Sequence, residues 1–233
     1  MRQKVLCVVL FVFGLGGGVA HADPSASCQD LSNPEAALAA CAEAIDSGTW
    51  QGADLAWAYN NQGLAHAARG DYLRAISSYS EALSLKPDFA PAYSNRGNAH
   101  AELGDMLKAL ADHEQAVSFD PGFVAARHNL AVDREQLGQY RAALQDYRAV
   151  IKMAPGHRGS HVGLATASCK LGRVKASAEA RLRAIEKGVL DPTDMQVLLQ
   201  TEGFYRGPID GIFGKGSRAA LWAWTRKGCI AGA

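Results

Sequence analysis

Residues 59–88 read YNNQGLAHAARGDYLRAISSYSEALSLKPD, and their pattern returns 34 residues later and again 34 after that. Small residues recur at Gly63, Gly97, Ala131 and Ala165, at Ala75, Ala109, Ala143 and Ser177, and at Ala82, Ala116, Val150 and Ala184. Glycines fall at Gly70, Gly104, Gly138 and Gly172, and prolines at Pro87, Pro121 and Pro155. A fixed period of this kind marks paired antiparallel helices stacked into a solenoid, where each unit covers its apolar face only with its neighbour. The expected fold is all-α.

One unit shows why. From Trp57 to Arg69 apolar and small residues follow helical spacing, Gly70-Asp71 interrupts them, and Tyr72 to Leu85 forms a second amphipathic run that Pro87 ends. Gly63, Ala75 and Ala82 are small where two helices cross closely, near the lower end of the roughly 8–10 Å spacing of packed helix axes. Tyr79 fills the wider part of that interface, with His113 and Tyr147 in the equivalent places of the next units.

These residues, together with Tyr59-Asn60-Asn61-Gln62-Gly63, Ala75-Ile76, Ala82-Leu83 and Lys86-Pro87-Asp88, resemble tetratricopeptide repeats. Three units, 56–89, 90–123 and 124–157, fit the pattern. A fourth, 158–188, keeps Ala165, Leu171-Gly172 and Ala184 but carries Arg181 in place of the later aromatic and lacks the closing proline. It reads as a worn repeat or a capping helix pair. The resemblance implies a protein-binding scaffold and leaves the partner open.

At the N-terminus, Arg2 and Lys4 precede an apolar run from Val5 to Val19, and Ala20-His21-Ala22 supplies small residues before Asp23. This is the layout of a cleavable signal peptide over residues 1–22. The rival reading is an uncleaved anchor, which the glycines Gly14, Gly16, Gly17 and Gly18 disfavour. Export fits the cysteines: beyond Cys7, the chain holds Cys28, Cys41, Cys169 and Cys229. Two disulfides, Cys28–Cys41 and Cys169–Cys229, are the simplest pairing. A zinc site lacks the usual Cys-x-x-Cys spacing, so no metal and no cofactor are expected. Residues 23–55 form a capping segment, with a short helix from Pro34 to Ile45 stopped by Gly48.

Removing Arg2 and Lys4 from the 24 basic side chains leaves them nearly balanced against 23 acidic ones. Such a surface does not favour nucleic acid or an anionic membrane.

The last segment, 189–233, carries Met195-Gln196, Leu199, Gly203-Phe204-Tyr205, Gly207-Pro208-Ile209-Asp210-Gly211-Ile212-Phe213-Gly214, Ser217-Arg218-Ala219-Ala220-Leu221 and Ala223-Trp224. These residues resemble the peptidoglycan-binding-like domain of bacterial wall enzymes. Read locally, a helix from about Asp194 ends at Gly203, the Gly/Pro loop follows with Asp210 accepting from its amides, and Ser217 caps a second helix. The module reads as a short version of that domain, with the family's closing helix not reached by Ala233. The repeat helix from Lys175 to Lys187 is positioned to complete it, held by Cys169–Cys229. Tyr205, Arg206, Asp210 and Trp222 are the candidates for contact with peptidoglycan. Asp210 reads more simply as a loop organiser, and Phe213 and Trp224 as core.

In repeat solenoids the inner wall comes mainly from the first helix of each pair. The resemblance places Asn60, Leu64, Ser94, Asn98, His128, Val132 and Glu135 on it, with Asn61, Asn95 and Asn129 beside them. The plainer reading of the repeated asparagines is hydrogen bonding between helices. The family's basic clamp for a terminal carboxylate has no lysine here. No nucleophile elbow, zinc-protease or phosphate-loop motif occurs, and the carboxylates form no glycosidase pair, so no catalytic residues are assigned. The expected function is a non-catalytic periplasmic adaptor that binds a protein or peptide through its repeats and peptidoglycan through its C-terminal module. The alternatives are a plain protein-interaction scaffold with a structural C-terminal cap, and an auxiliary wall hydrolase.

Overall fold

A computed structural model describes residues 24–48 and 50–231. The expected signal peptide and its expected cleavage point lie outside them. Among the described residues there are twelve helices and no strand. A short α1 (Pro24–Gln29) and α2 (Pro34–Asp46) lead into four helix pairs. These are α3 (Gly52–Ala68) with α4 (Tyr72–Leu85), α5 (Ala90–Glu102) with α6 (Met106–Phe119), α7 (Val124–Gln136) with α8 (Tyr140–Met153), and α9 (Arg158–Lys170) with α10 (Val174–Glu186). Two more follow, α11 (Pro192–Thr201) and α12 (Lys215–Ala231).

The first helix of every pair ends in the same way. Gly70 has φ of 81°, its N–H donates to the Ala67 carbonyl at 2.9 Å, and the Asp71 N–H donates to the His66 carbonyl at 2.9 Å. This doubly bonded, left-handed ending is what glycine permits. It recurs at Gly104, Gly138 and Gly172. The spacing of the turn glycines in the sequence is thus the spacing of one backbone device.

Within the pairs, packing is set by rings lying against missing side chains. A Cβ added to Gly63 would sit 2.5 Å from Tyr79 Cε1, and one added to Gly97 would sit 2.8 Å from His113 Nε2. Ala131 fills the corresponding place in the third pair, and there Tyr147 instead lies over Gly163 of the next helix, 2.2 Å from where its Cβ would stand. Tyr79, His113 and Tyr147 are all essentially buried. In the fourth pair Arg181 stands at this register and reaches the other way, its guanidinium over the Trp224 ring at 5.1 Å and its Nη1 donating to Ser177 Oγ at 2.6 Å.

The C-terminal helices do not stand apart from the stack. Ala184 and Ile185 of α10 share one core with Leu190, Leu199, Ala220 and Leu221, and Phe204, Tyr205, Phe213 and Trp224 pack around it. Cys169 and Cys229 are bonded, joining α9 to α12, and Arg218 Nη1 donates to Glu186 at 2.9 Å. At the other end Cys28 and Cys41 are bonded, and both are buried. Both disulfides join the cysteines that lie nearest in sequence.

Several local expectations shift. The first helix of the first pair starts at Gly52 rather than Trp57, because Asp54 and Leu55 continue the helix toward its N-terminus. Helix α11 starts at Pro192, two residues before Asp194, since Asp191 caps it by accepting from the N–H groups of Thr193 and Asp194. Ser217 is not a cap. It lies inside the first turn of α12, and its hydroxyl donates to the Gly214 carbonyl at 3.3 Å.

Gly63→Ala tests the ring-over-glycine contact. Although alanine gains up to about 1 kcal/mol of helix propensity, the displaced Tyr79 ring makes the substitution destabilising overall by about 1–3 kcal/mol in urea denaturation. Gly156→Ala, where a Cβ meets nothing within 4 Å, stays within about 0.5 kcal/mol of the parent.

Candidate functional site

The first helices α5 and α7, with the start of α6, enclose an open hollow of about 750 Å³. Asn98, Asn129 and Val132, three of the groove candidates, line it together with Glu102, Leu103, Met106 and Gln136. His113 and Asp133 form its floor. Both are buried, and His113 Nδ1 lies 2.5 Å from Asp133 Oδ2. On the other side of the ring, Nε2 lies 3.1 Å from Asn98 Oδ1, which also accepts from Asn129 Nδ2 at 2.8 Å. Both ring nitrogens therefore face acceptor oxygens. The pair is a fixed polar floor, since removing one partner of such a buried couple leaves the other unsatisfied.

The remaining groove candidates divide by burial. Asn60, Asn61 and Ser94 are buried. Asn95 Nδ2 donates to Asn60 Oδ1 at 3.0 Å, so the asparagines tie successive repeats together, which is why they recur with the period. Leu64 is half-buried against the core around Ala75 and Tyr79. Glu135 accepts from the Tyr147 hydroxyl at 2.8 Å, and burial raises its carboxyl above the ordinary range while that bond pulls the other way.

His128 belongs to the joint between the third and fourth pairs. Its Nδ1 lies 3.0 Å from Ser160 Oγ, which lies 3.0 Å from His157 Nδ1, and the two rings are 4.5 Å apart. Burial, aided by repulsion from His157, pushes the His128 imidazolium down to about 4.

In the C-terminal module the four wall-contact candidates are separated by role. Asp210 Oδ1 accepts from Gln196 Nε2 at 3.0 Å and from the Ile212 N–H at 2.9 Å, and these bonds hold its carboxyl below the usual range. Gln196, wholly buried, also donates to the Ile212 carbonyl and accepts from the Gly211 N–H. Tyr205 donates to the Pro208 carbonyl at 3.1 Å, and a Cβ on Gly207 would collide with its hydroxyl. Asp210 and Tyr205 thus shape the loop. Arg206 is exposed and Trp222 half-exposed. Sequence reading overlooked Gln196 as an organiser and Asp133 as the partner of His113. A polar residue set among apolar ones at helical spacing was the available signal for Gln196; Asp133 gave none.

Two further absences concern the described residues. No three His, Cys, Asp or Glu side chains converge as a metal ion needs, and no helix is long and apolar enough to cross a membrane.

A TPR repeat family model matches residues 63–104, and two tetratricopeptide repeat models match residues 90–123 and 128–194. The chain is a tetratricopeptide repeat protein. The crystal structure of MamA shares its fold at 18% identity and a TM-score of 0.62, over 67% of this chain and 90% of that one. A MamA structure from Desulfovibrio magneticus RS-1, residue 41 to the end, gives 22% identity and a TM-score of 0.62 over 70% and 89%. The first TPR of Spaghetti (RPAP3), bound to an HSP90 peptide, gives 22% and 0.51 over 54% and 99%. At these identities the likeness is one of fold. No curated protein matches the sequence.

The His128 environment sets a pH dependence. Between about 4 in the folded chain and about 6.5 unfolded, the unfolded chain binds the proton and the folded one does not. Stability is therefore full above that upper value and is lost as the pH falls toward the lower one. Urea titrations at pH 7.5 and 5 should show the parent losing about 2 kcal/mol more than His128→Gln over this interval.

Proposed function

We propose that this tetratricopeptide repeat protein is a non-catalytic scaffold that works in an oxidising, extracytoplasmic compartment and holds an extended segment of a partner protein in the hollow over α5 and α7. The observation that carries this reading is a pair of unspent polar groups in the hollow. Asn98 and Asn129 use one amide atom each on the bond between them, leaving the Asn98 nitrogen and the Asn129 oxygen without a partner among the described residues. A donor and an acceptor side by side match the alternating groups of an extended peptide backbone. Val132, Leu103 and Met106 supply apolar contact around them. The solenoid of Spaghetti (RPAP3), similar in fold, is bound to a peptide. The apolar leader at residues 5–19 and the two disulfides support the compartment.

On this reading α11 and α12 cap the stack, which the core shared with α10 supports. A second reading, attachment to peptidoglycan, keeps a specific basis: Trp222 is half-exposed and Arg206 has no bond among the described residues, an aromatic face and a free donor of the kind that sugars meet.

A photocrosslinking amino acid at Val132 should give a discrete adduct in the native compartment, while the same group at exposed Glu81 on α4 gives none. Adducts of equal yield from both positions, or from neither, would sink the hollow as the seat. For the second reading, mature chain and the Trp222→Ala variant are spun with purified sacculi; pelleting of the parent alone makes the module a wall-binding unit, and equal behaviour leaves it a cap.

A further inference from the structure

The grooves between successive second helices are closed from within in the middle of the stack. In the second pair Arg96 donates from Nε and Nη2 to both oxygens of Asp112, at 2.8 Å each, and from Nη1 to Ser80 Oγ at 3.1 Å. In the third pair Asp146 stands 34 residues on from Asp112. It accepts from Arg134 Nη1 and, at 3.4 Å, from Arg127 Nη1, while Arg134 Nη2 donates to Glu114 at 2.9 Å. Each groove is filled by guanidinium groups and neutralised by a buried aspartate, joined in the third pair by the exposed Glu114.

One period later the same positions are changed together. Asp146 becomes Ala180, Glu114 becomes Arg148, Arg134 becomes Ser168 and Arg127 becomes His161. Both carboxylates are gone, and one is replaced by a cation. What remains is an open pocket of about 480 Å³ between α8, α9 and α10, rimmed by Arg148, Arg183 and Lys187. Ser168 Oγ donates to the Leu164 carbonyl at 2.7 Å and His161 Nε2 to the Pro155 carbonyl at 2.9 Å, so neither fills the space. Glu179 is the one acid on the rim, and Arg183 lies 3.4 Å from it. Arg148 and Lys187 have no partner among the described residues. Two free cations thus border a vacancy where the preceding repeats hold an aspartate.

We infer that this pocket is a second docking site, which takes an aspartate or glutamate side chain from an acidic segment of a partner protein in the place held by Asp112 and Asp146 in the earlier repeats. The inference rests on the scaffold reading for the kind of ligand, a protein segment, and not on the α5–α7 hollow. Charge complementarity selects the occupant: carboxylates match a guanidinium geometrically, and the rim carries three cations against one acid.

The test uses fluorescein-labelled hexaglutamate and hexaglutamine peptides, titrated by anisotropy at low ionic strength against the mature protein. Ala180→Asp supplies the missing carboxylate from within, Arg148→Glu restores the acid that Glu114 supplies one period earlier, and Arg141→Glu alters an exposed charge elsewhere on α8. Hexaglutamate should bind at least about tenfold more tightly than hexaglutamine, the value of one charge-assisted pair. Ala180→Asp and Arg148→Glu should each lose about that factor, with unchanged circular dichroism, while Arg141→Glu stays within about twofold. Equal affinity for the two peptides, undiminished binding by Ala180→Asp with its fold intact, or an equal loss in Arg141→Glu overturns the site. Should Ala180→Asp not fold, the contrast between Arg148→Glu and Arg141→Glu decides alone. A failed crosslink at Val132 leaves this outcome standing, and a failed peptide preference leaves the Val132 result standing, so the two readings fall separately.

Discussion

The structure depends on a ring pressed against a residue that has no side chain. Tyr79 over Gly63 and His113 over Gly97 leave no room for a Cβ, and Tyr147 over Gly163 carries the same contact across to the next pair. Because a protein interior is close-packed, such a contact fixes the separation and rotation of two helices together. Once one pair is fixed, its outer face has a defined shape, and only a neighbour of the same shape covers it. The turn glycines act beside this constraint, ending each first helix at the point where the chain must reverse.

Most of this was legible in the sequence, because a constraint imposed on every pair leaves the same residue type at every period. The helix order, the turns at Gly70, Gly104, Gly138 and Gly172, and the small residues at the crossings follow from repetition alone. Periodicity is blind, however, to whether a repeated side chain faces outward or inward. Asn60, Asn61 and Ser94 repeat at groove positions and are buried, because a polar link between adjacent helices recurs as faithfully as a binding residue does. The changes that break the period carry the rest of the information. His113 replaces a tyrosine and brings Asp133 inward; Arg181 replaces another and turns toward Trp224; Ala180 replaces an aspartate and leaves a pocket.

The joint at the C-terminal end changes how the module there is understood. The sequence leads one to expect a wall-binding loop there, whereas Asp210 and Tyr205 are engaged in shaping that loop with Gln196 and Pro208. Its core is not its own, since Ala184 and Ile185 of α10 complete it. A unit this small has little apolar surface to bury by itself, and borrowing a helix from the last repeat supplies it. The same helix gives up its aromatic at position 181, so that the end of the stack meets Trp224 instead of a fifth pair. The crosslink from Cys169 to Cys229 adds a chain-entropy contribution of about 4 kcal/mol for a loop of its length.

Repeats and terminal module form one packed unit. Native-state hydrogen exchange measures it most directly, by comparing amides of α10 around Ala184 with amides of α12 around Leu221. If the core is shared, both sets open with the same free energy in the oxidised protein and fall together in Leu221→Ala. Opening of α12 at a markedly lower free energy, with α10 protected and unmoved by that substitution, would contradict it.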